Sequence, residues 1–309
     1  MNNREQEARS DFWQNMVSLD KEYNLETINL VAKDLAYFAG IFDTEVYFTI
    51  APVHNIRLAY DKHNEYLLRT FLSSFGGKII KAKPRVERKS DIWVWLVTSD
   101  QAYKILKKIH PFLRINGEKA RLCIECYEEC AKSGLSYADK AKIGEKYINL
   151  LKDCETKPEQ RFDYFGLPHL KLAYLAGMFD VGASFVITKR TERDTYLLEV
   201  IKRKDDYETM EFIAGLFGGK IHAASRSKLN KQHIWEIKYA SQKAYAVLKQ
   251  IYPSLKAQKR IADICMEFQD AYWQGQTSIE VSQTRKTIGA KYNTLLRSYH
   301  LKWRSRYGK

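Results

Sequence analysis

The fourteen residues LAYFAGIFDTEVYF at 35–48 return as LAYLAGMFDVGASF at 172–185. One chain therefore holds two copies of one unit, and its fold must be one that a repeated unit completes by packing on its twin. In each copy small residues recur four apart, Ala36 with Gly40 and Ala173 with Gly177, beside Ala39 and Ala176. Positions four apart share one face of a helix, and small residues there let two helices bring their backbones nearly into contact. Past the aspartate the period changes from helical to two, as in Val46, Phe48 and Ile50. Each copy thus reads as a helix running directly into a strand.

The echo continues along the chain. Gly76-Gly77-Lys78 matches Gly218-Gly219-Lys220; Trp93, Tyr103, Pro111 and Cys123 match Trp235, Tyr245, Pro253 and Cys265, all at an offset of 142. The signature glycines are offset by 137, so about five residues were gained in the early strands and loops of the second copy. The spacing predicts a helix over 34–43, strands near 45–53 and 56–61 with Asn55 in the turn, and a helix near 64–75 stopped by the paired glycines. Strands near 78–84 and 91–98 and helices near 100–110 and 116–130 follow. The second copy repeats this order. A further echo, residues 143–151 against 288–296, carries the duplication into appended helices. The expected organisation is a helical arm over 1–33, a first half over 34–153, a linker over 154–168 and a second half with a basic tail over 169–309.

The duplicated block resembles the signature of the LAGLIDADG homing endonucleases in their two-motif, single-chain form. The resemblance implies an α+β fold of two pseudo-symmetric αββαββα halves packed through the paired signature helices, here with appended helices. It implies a curved antiparallel sheet in each half for the DNA groove, and an acidic residue at the base of each helix that holds a catalytic metal, with Mg2+ as cofactor if the centre is active. Glu45 stands in the first acidic position and Gly182 in the second. The family also often places a lysine five residues after the proline of a P-x-L segment; the matching residues here are Asn116 and Gln258. Metal ions stabilise both the attacking and the leaving oxygen of a phosphodiester, so loss of one acid and both lysines points to an impaired nuclease. Asp43 and Asp180 match an earlier aspartate that caps and positions the helix end.

Binding residues are better kept. Lys+Arg number 51 against 37 Asp+Glu, a formal charge of +14, which favours a polyanionic partner because such residues replace counterions condensed on phosphate. Alternation places Tyr47, Thr49, Ala51 and Val53 on the groove face of the first sheet, and Ser184, Val186, Thr188 and Arg190 on that of the second. Lys81, Lys83 and Arg85, with Arg226, Lys228 and Lys231 in the second copy, are further candidates for phosphate contact. After Glu280 no acid follows, while Arg297, Lys302, Arg304 and Arg306 alternate with Tyr299, Trp303 and Tyr307, a pattern suited to phosphate and stacking.

Duplex DNA and structured RNA both fit this chemistry. Residues 92–97, Ile-Trp-Val-Trp-Leu-Val, are apolar on both faces and suit a protein partner on the first sheet. The rival readings are an active endonuclease or nickase and a repurposed RNA-folding or ribonucleoprotein component such as an intron maturase. Five cysteines, three of them (Cys123, Cys126, Cys130) on one helix face, read as core packing rather than a metal site. No apolar run is long enough to span a bilayer, so the expectation is a soluble, intracellular chain, and the resemblance to the single-chain form implies a monomer.

Overall fold

The computed structural model describes residues 31–51, 55–61, 65–82, 92–154, 167–190, 195–226, 233–274 and 279–307. The first half runs α1 (Ala32–Glu45), β1 (Val46–Ala51), β2 (Asn55–Asp61), α2 (Glu65–Phe75), β3 (Lys78–Ala82), β4 (Ile92–Thr98), α3 (Ser99–Ile109), α4 (Gly117–Cys130) and α5 (Tyr137–Asp153). The second runs α6 (Pro168–Gly182), β5 (Ala183–Arg190), β6 (Thr195–Lys204), α7 (Tyr207–Phe217), β7 (Ile221–Arg226), β8 (His233–Ala240), α8 (Ser241–Ile251), α9 (Lys259–Gln274) and α10 (Ile279–Tyr307). Each half carries one antiparallel four-stranded sheet, in the orders β1-β2-β4-β3 and β5-β6-β8-β7. Asn55 is not in the turn: it opens β2, opposite Ala51, because the ladder pairs the hairpin up to that residue. The expected arm over 1–33 and linker over 154–168 fall almost wholly outside the described residues.

The duplication reaches the backbone torsions. Gly76 and Gly77 (φ 66° and 84°) stop α2, and Gly218 and Gly219 (φ 65° and 122°) stop α7, left-handed conformations that glycine adopts cheaply. At Gly77 a Cβ would lie 2.3 Å from Val97 Cγ1 and 2.7 Å from Leu96 O, so the turn also needs the missing side chain. Ser99 and Ser241, each at φ 53°, hold the same elbow between strand and helix in the two halves.

Register assigns the faces. In the first sheet Val46, Leu58, Tyr60, Ile79, Trp95 and Val97 share the buried face under the helices. There Trp95 stacks on Phe71 at 4.7 Å and donates its Nε1–H to Gly76 O at 2.8 Å, so the largest core ring also satisfies a carbonyl freed at the helix end. In the second sheet Phe185, Ile187, Leu198, Val200, Ile237 and Tyr239 form the equivalent face.

The appended helices cover the same sides. α5, started by a capping box of Ser136 and Asp139, packs on α4 and β1. α10 approaches Tyr196 of β6 so closely that a Cβ on Gly289 would lie 2.1 Å from its ring. Its Asn293 donates to Ile187 O, Tyr292 meets Phe268 at 6.1 Å, and Leu296 is buried.

By contact the described residues divide into one unit drawn from 31–35, 45–154 and 307, and another drawn from 36–44 and 167–306. The first signature helix thus belongs by packing to the second unit, unlike the sequence boundary at residue 34, because its backbone lies against α6. No helix among the described residues is long and apolar enough to cross a membrane.

Candidate functional site

Residues 36–44 and α6 meet as the small-residue spacing predicts. A Cβ on Gly40 would stand 2.0 Å from Tyr174 O, and one on Gly177 would stand 2.0 Å from Tyr37 O. Ala36, Ala39, Ala173 and Ala176 are fully buried around these contacts. The reciprocity extends to two hydrogen bonds that cross the pair. Tyr37 donates its hydroxyl to Asp180 Oδ2 at 2.7 Å, and Tyr174 donates to Asp43 Oδ2 at 2.8 Å. Sequence reasoning missed this lock, although a tyrosine one residue after the first alanine of both copies was the available signal.

Asp180 accepts three more bonds, from the backbone N–H groups of Lys256, Ala257 and Gln258 at 2.7, 3.0 and 2.8 Å. Burial lifts its carboxyl above the usual carboxylate range, against the pull of these four donors. A carboxylate so committed joins the end of α6 to the start of α9 and is not offering its oxygens to a cation. Gln258 completes the joint. Its Nε2 donates to Phe179 O, Asp180 O and Ala183 O at 2.8, 3.2 and 3.1 Å, tying the last turn of α6 to the first residue of β5. Asn116 takes the same place in the first half, buried at the start of α4. Both positions matched to the family's lysine therefore hold amides, and one of them is fully engaged in the fold.

The two acidic positions differ in kind. Glu45, half-buried, is the last residue of α1, where the negative end of the helix dipole opposes a carboxylate by about 0.3–1 kcal/mol. Gly182 ends α6 with no side chain, and the space is taken. A Cβ there would lie 2.4 Å from Lys202 Nζ. Lys202 of β6 is 1% exposed and donates to Met178 O at 2.8 Å. The sequence did contain the signal, since Lys202 follows Leu198 and Val200 on the inward-facing alternation. A divalent cation of this class wants oxygen ligands. The residues at the end of α6 do not fit one, whereas the end of α1 carries the carboxylate of Glu45. Among the described residues no group of three or more His, Cys, Asp or Glu is gathered for a metal. Cys123, Cys126 and Cys130 are buried thiols, with Cys126 pushed up to about 12 by burial.

The open faces of the sheets carry the remaining candidates. Tyr47 (54% exposed) and Thr49 project from β1, on the same face of the sheet as Lys78 and Ile80 at its other edge. Lys81 is exposed but shares the face of Ile79 and Trp93, opposite to Tyr47, because its register partner is Trp93. In the second half Ser184, Thr188 and Arg190 are exposed on one face. That face also holds two acids missed in the sequence. Glu199 accepts from Thr188 Oγ1 at 2.8 Å and pairs with Lys238 at 2.7 Å, and Glu236 pairs with Arg203 at 2.6 Å. Arg297 is exposed on α10. Arg226 ends β7, and Lys302, Arg304 and Arg306 lie in the last turns of α10, their side chains outside the described residues. Lys83, Arg85, Lys228 and Lys231 lie outside the described residues altogether.

By sequence the chain matches no family model and no curated protein. Its architecture does find relatives. It is similar to the LAGLIDADG homing endonuclease I-GzeII in complex with DNA target, at 15% identity and a TM-score of 0.61, over 85% of this chain and 96% of that one. The meganuclease I-AabMI bound to uncleaved DNA follows at 14% identity and 0.59, over 85% and 98%. I-SmaMI bound to uncleaved DNA in the presence of calcium ions gives 15% and 0.53, over 85% and 97%. The chain has the LAGLIDADG homing endonuclease fold. Two four-stranded antiparallel sheets and the reciprocal packing of the duplicated motif are that fold's parts as this sequence builds them.

Proposed function

We propose that this chain is a nucleic-acid-binding protein of LAGLIDADG architecture whose nuclease centre is impaired. The observation that carries the reading is the lysine ammonium at the end of α6, in the space where the acidic side chain of residue 182 would begin. The similar structures bound to DNA, the excess of basic residues and the exposed Tyr47, Thr188 and Arg190 support binding. Arginine can grip phosphate or read guanine edges, and tyrosine can stack on a base. The pairing of Lys238 and Arg203 with Glu199 and Glu236 holds these cations in fixed positions while muting part of their charge.

A divalent cation, when bound, stabilises the charge that develops on the attacking and leaving oxygens of a phosphodiester. Of the two acidic positions only Glu45 could hold one. Asp180 and Gln258 keep the α6 end rigid through bonds that leave them no part in proton transfer. The second reading is a nick in one strand dependent on Glu45, favoured by the retention of that carboxylate against the helix dipole. Gel-shift selection from a randomised duplex pool, with a structured RNA pool in parallel, tests binding. Enrichment of duplex sequences supports the reading, enrichment from the RNA pool alone transfers the function to RNA, and enrichment from neither refutes it.

A further inference from the structure

The end of α6 is occupied by a strand, and the same strand serves α1. Lys202 Nζ donates to Met178 O at 2.8 Å, while Lys204, two residues on along the inward face of β6, directs its Nζ to Thr44 O at 3.4 Å. One strand thus brings an ammonium to the C-terminal end of each signature helix. Aligned peptide dipoles give such an end roughly half an elementary negative charge, so a cation there is stabilising. Register shows what the first half does instead. Val46 pairs with Tyr60 where Ala183 pairs with Lys202, so the counterpart of Lys202 is a buried tyrosine. The half that keeps its acid, Glu45, has a neutral inward residue; the half with Gly182 has a lysine. The lysine therefore stands in the half that lacks the acid.

We infer that Lys202 and Lys204 supply, as parts of the chain itself, the positive charge that divalent cations would bring to this end of the helix pair, so that nucleic acid is held there without metal. The inference rests on the nucleic-acid reading above and adds how its central contact is made. Lys202 is sealed and acts as a positioning residue: it fills the place of the lost acid and neutralises the helix end. Lys204, with 21% of its side chain exposed and its ammonium 4.0 Å from the exposed Asp205 carboxylate, is the group placed to meet a phosphate. A carboxylate restored at position 182 would pair with the Lys202 ammonium before it captured a cation.

Two measurements on the full-length protein decide the matter. In the first, affinity for the randomised duplex pool is compared in EDTA and in magnesium at matched ionic strength. Wild type should differ by no more than about twofold, and Lys204→Met should flatten the slope of log affinity against log salt by about 0.9, one duplex phosphate contact. A tenfold or greater loss on chelation, or an unchanged slope, overturns the inference. The second needs no nucleic acid. Manganese is titrated calorimetrically onto Glu45→Gln protein carrying Gly182→Asp, or Gly182→Asp with Lys202→Met, whose side chain ends one atom short of the ammonium. Circular dichroism checks that each variant is folded. A cation site gained only when Lys202 is removed upholds the inference; a site gained with Lys202 in place, or in neither variant, overturns it. Failure to bind any nucleic acid refutes the proposed function, and the manganese titration still decides whether the lysine stands in the cation's place.

Discussion

Replacing Gly40 by alanine adds one methyl group at the closest approach of the paired helices. On an open helix surface this change stabilises by roughly 0.5–1 kcal/mol, because alanine loses less backbone freedom than glycine. At Gly40 the new Cβ would lie 2.0 Å from Tyr174 O, 2.9 Å from its carbonyl carbon and 3.0 Å from Met178 N. All three are backbone atoms, so no side chain can swing aside and the helices must part. Overpacking costs about 1–3 kcal/mol, and a clash with backbone belongs at the upper end. The net expectation is a loss of about 2 kcal/mol, or about 4–8 °C in Tm for a unit of this size. Gly177→Ala, mirrored against Tyr37 O at the same 2.0 Å, should cost as much. The double variant should cost less than their sum, since the helices separate once. Gly215 of α7 has nothing within 4 Å of an added Cβ, so Gly215→Ala is the control and should hold or raise Tm. Thermal unfolding followed by circular dichroism reads all four. If Gly40→Ala melts with wild type or above it, the close backbone approach is not there and the account of the helix pair fails.

Tyr37→Phe and Tyr174→Phe each remove a cross-helix bond to a buried aspartate and should cost about 1.5–3 kcal/mol by thermal unfolding; the Asp180 side should lie at the lower end, because three backbone donors remain there. Gln258→Leu should lower Tm, since it removes an amide donor shared by three carbonyls where α6 runs into β5; an unchanged Tm would show that the amide is not engaged there. Burial keeps Cys123, Cys126 and Cys265 protonated at neutral pH, so iodoacetamide should modify the half-buried Cys154 first and these three only on unfolding. Deleting residues 302–309 should weaken nucleic-acid binding and flatten its salt dependence by up to about 0.9 per lost duplex phosphate contact; untouched affinity and slope would make the tail a packing segment.

Much of the architecture was legible because duplication writes the same constraint twice. Small residues four apart at Ala36 and Gly40 and again at Ala173 and Gly177 leave few uses other than close helix contact, and paired glycines at 76–77 and 218–219 mark the same stop. At the end of α6 the sequence showed only that a side chain is absent. Gly182 stands where the resemblance implies an acid, but a sequence does not say what enters the space, because that depends on register: Lys202 comes to residue 182 only through the pairing of Ala183 with Lys202. The same dependence hides the face of Lys81 from the sequence, since alternation gives the period of a strand and not its phase relative to the neighbouring strand. Glu199 and Glu236 escaped notice because a search for basic residues passes over the acids that orient them.

The central claim is that recognition outlasts cleavage, and it is tested by following both strands of a bound duplex. Sequences selected from the randomised pool are labelled on each strand, incubated with wild-type protein in magnesium or manganese, and resolved on a denaturing gel. Intact strands, or a nick in one strand that disappears in Glu45→Gln with binding preserved, is the predicted result. Efficient cleavage of both strands by the wild-type protein would contradict it.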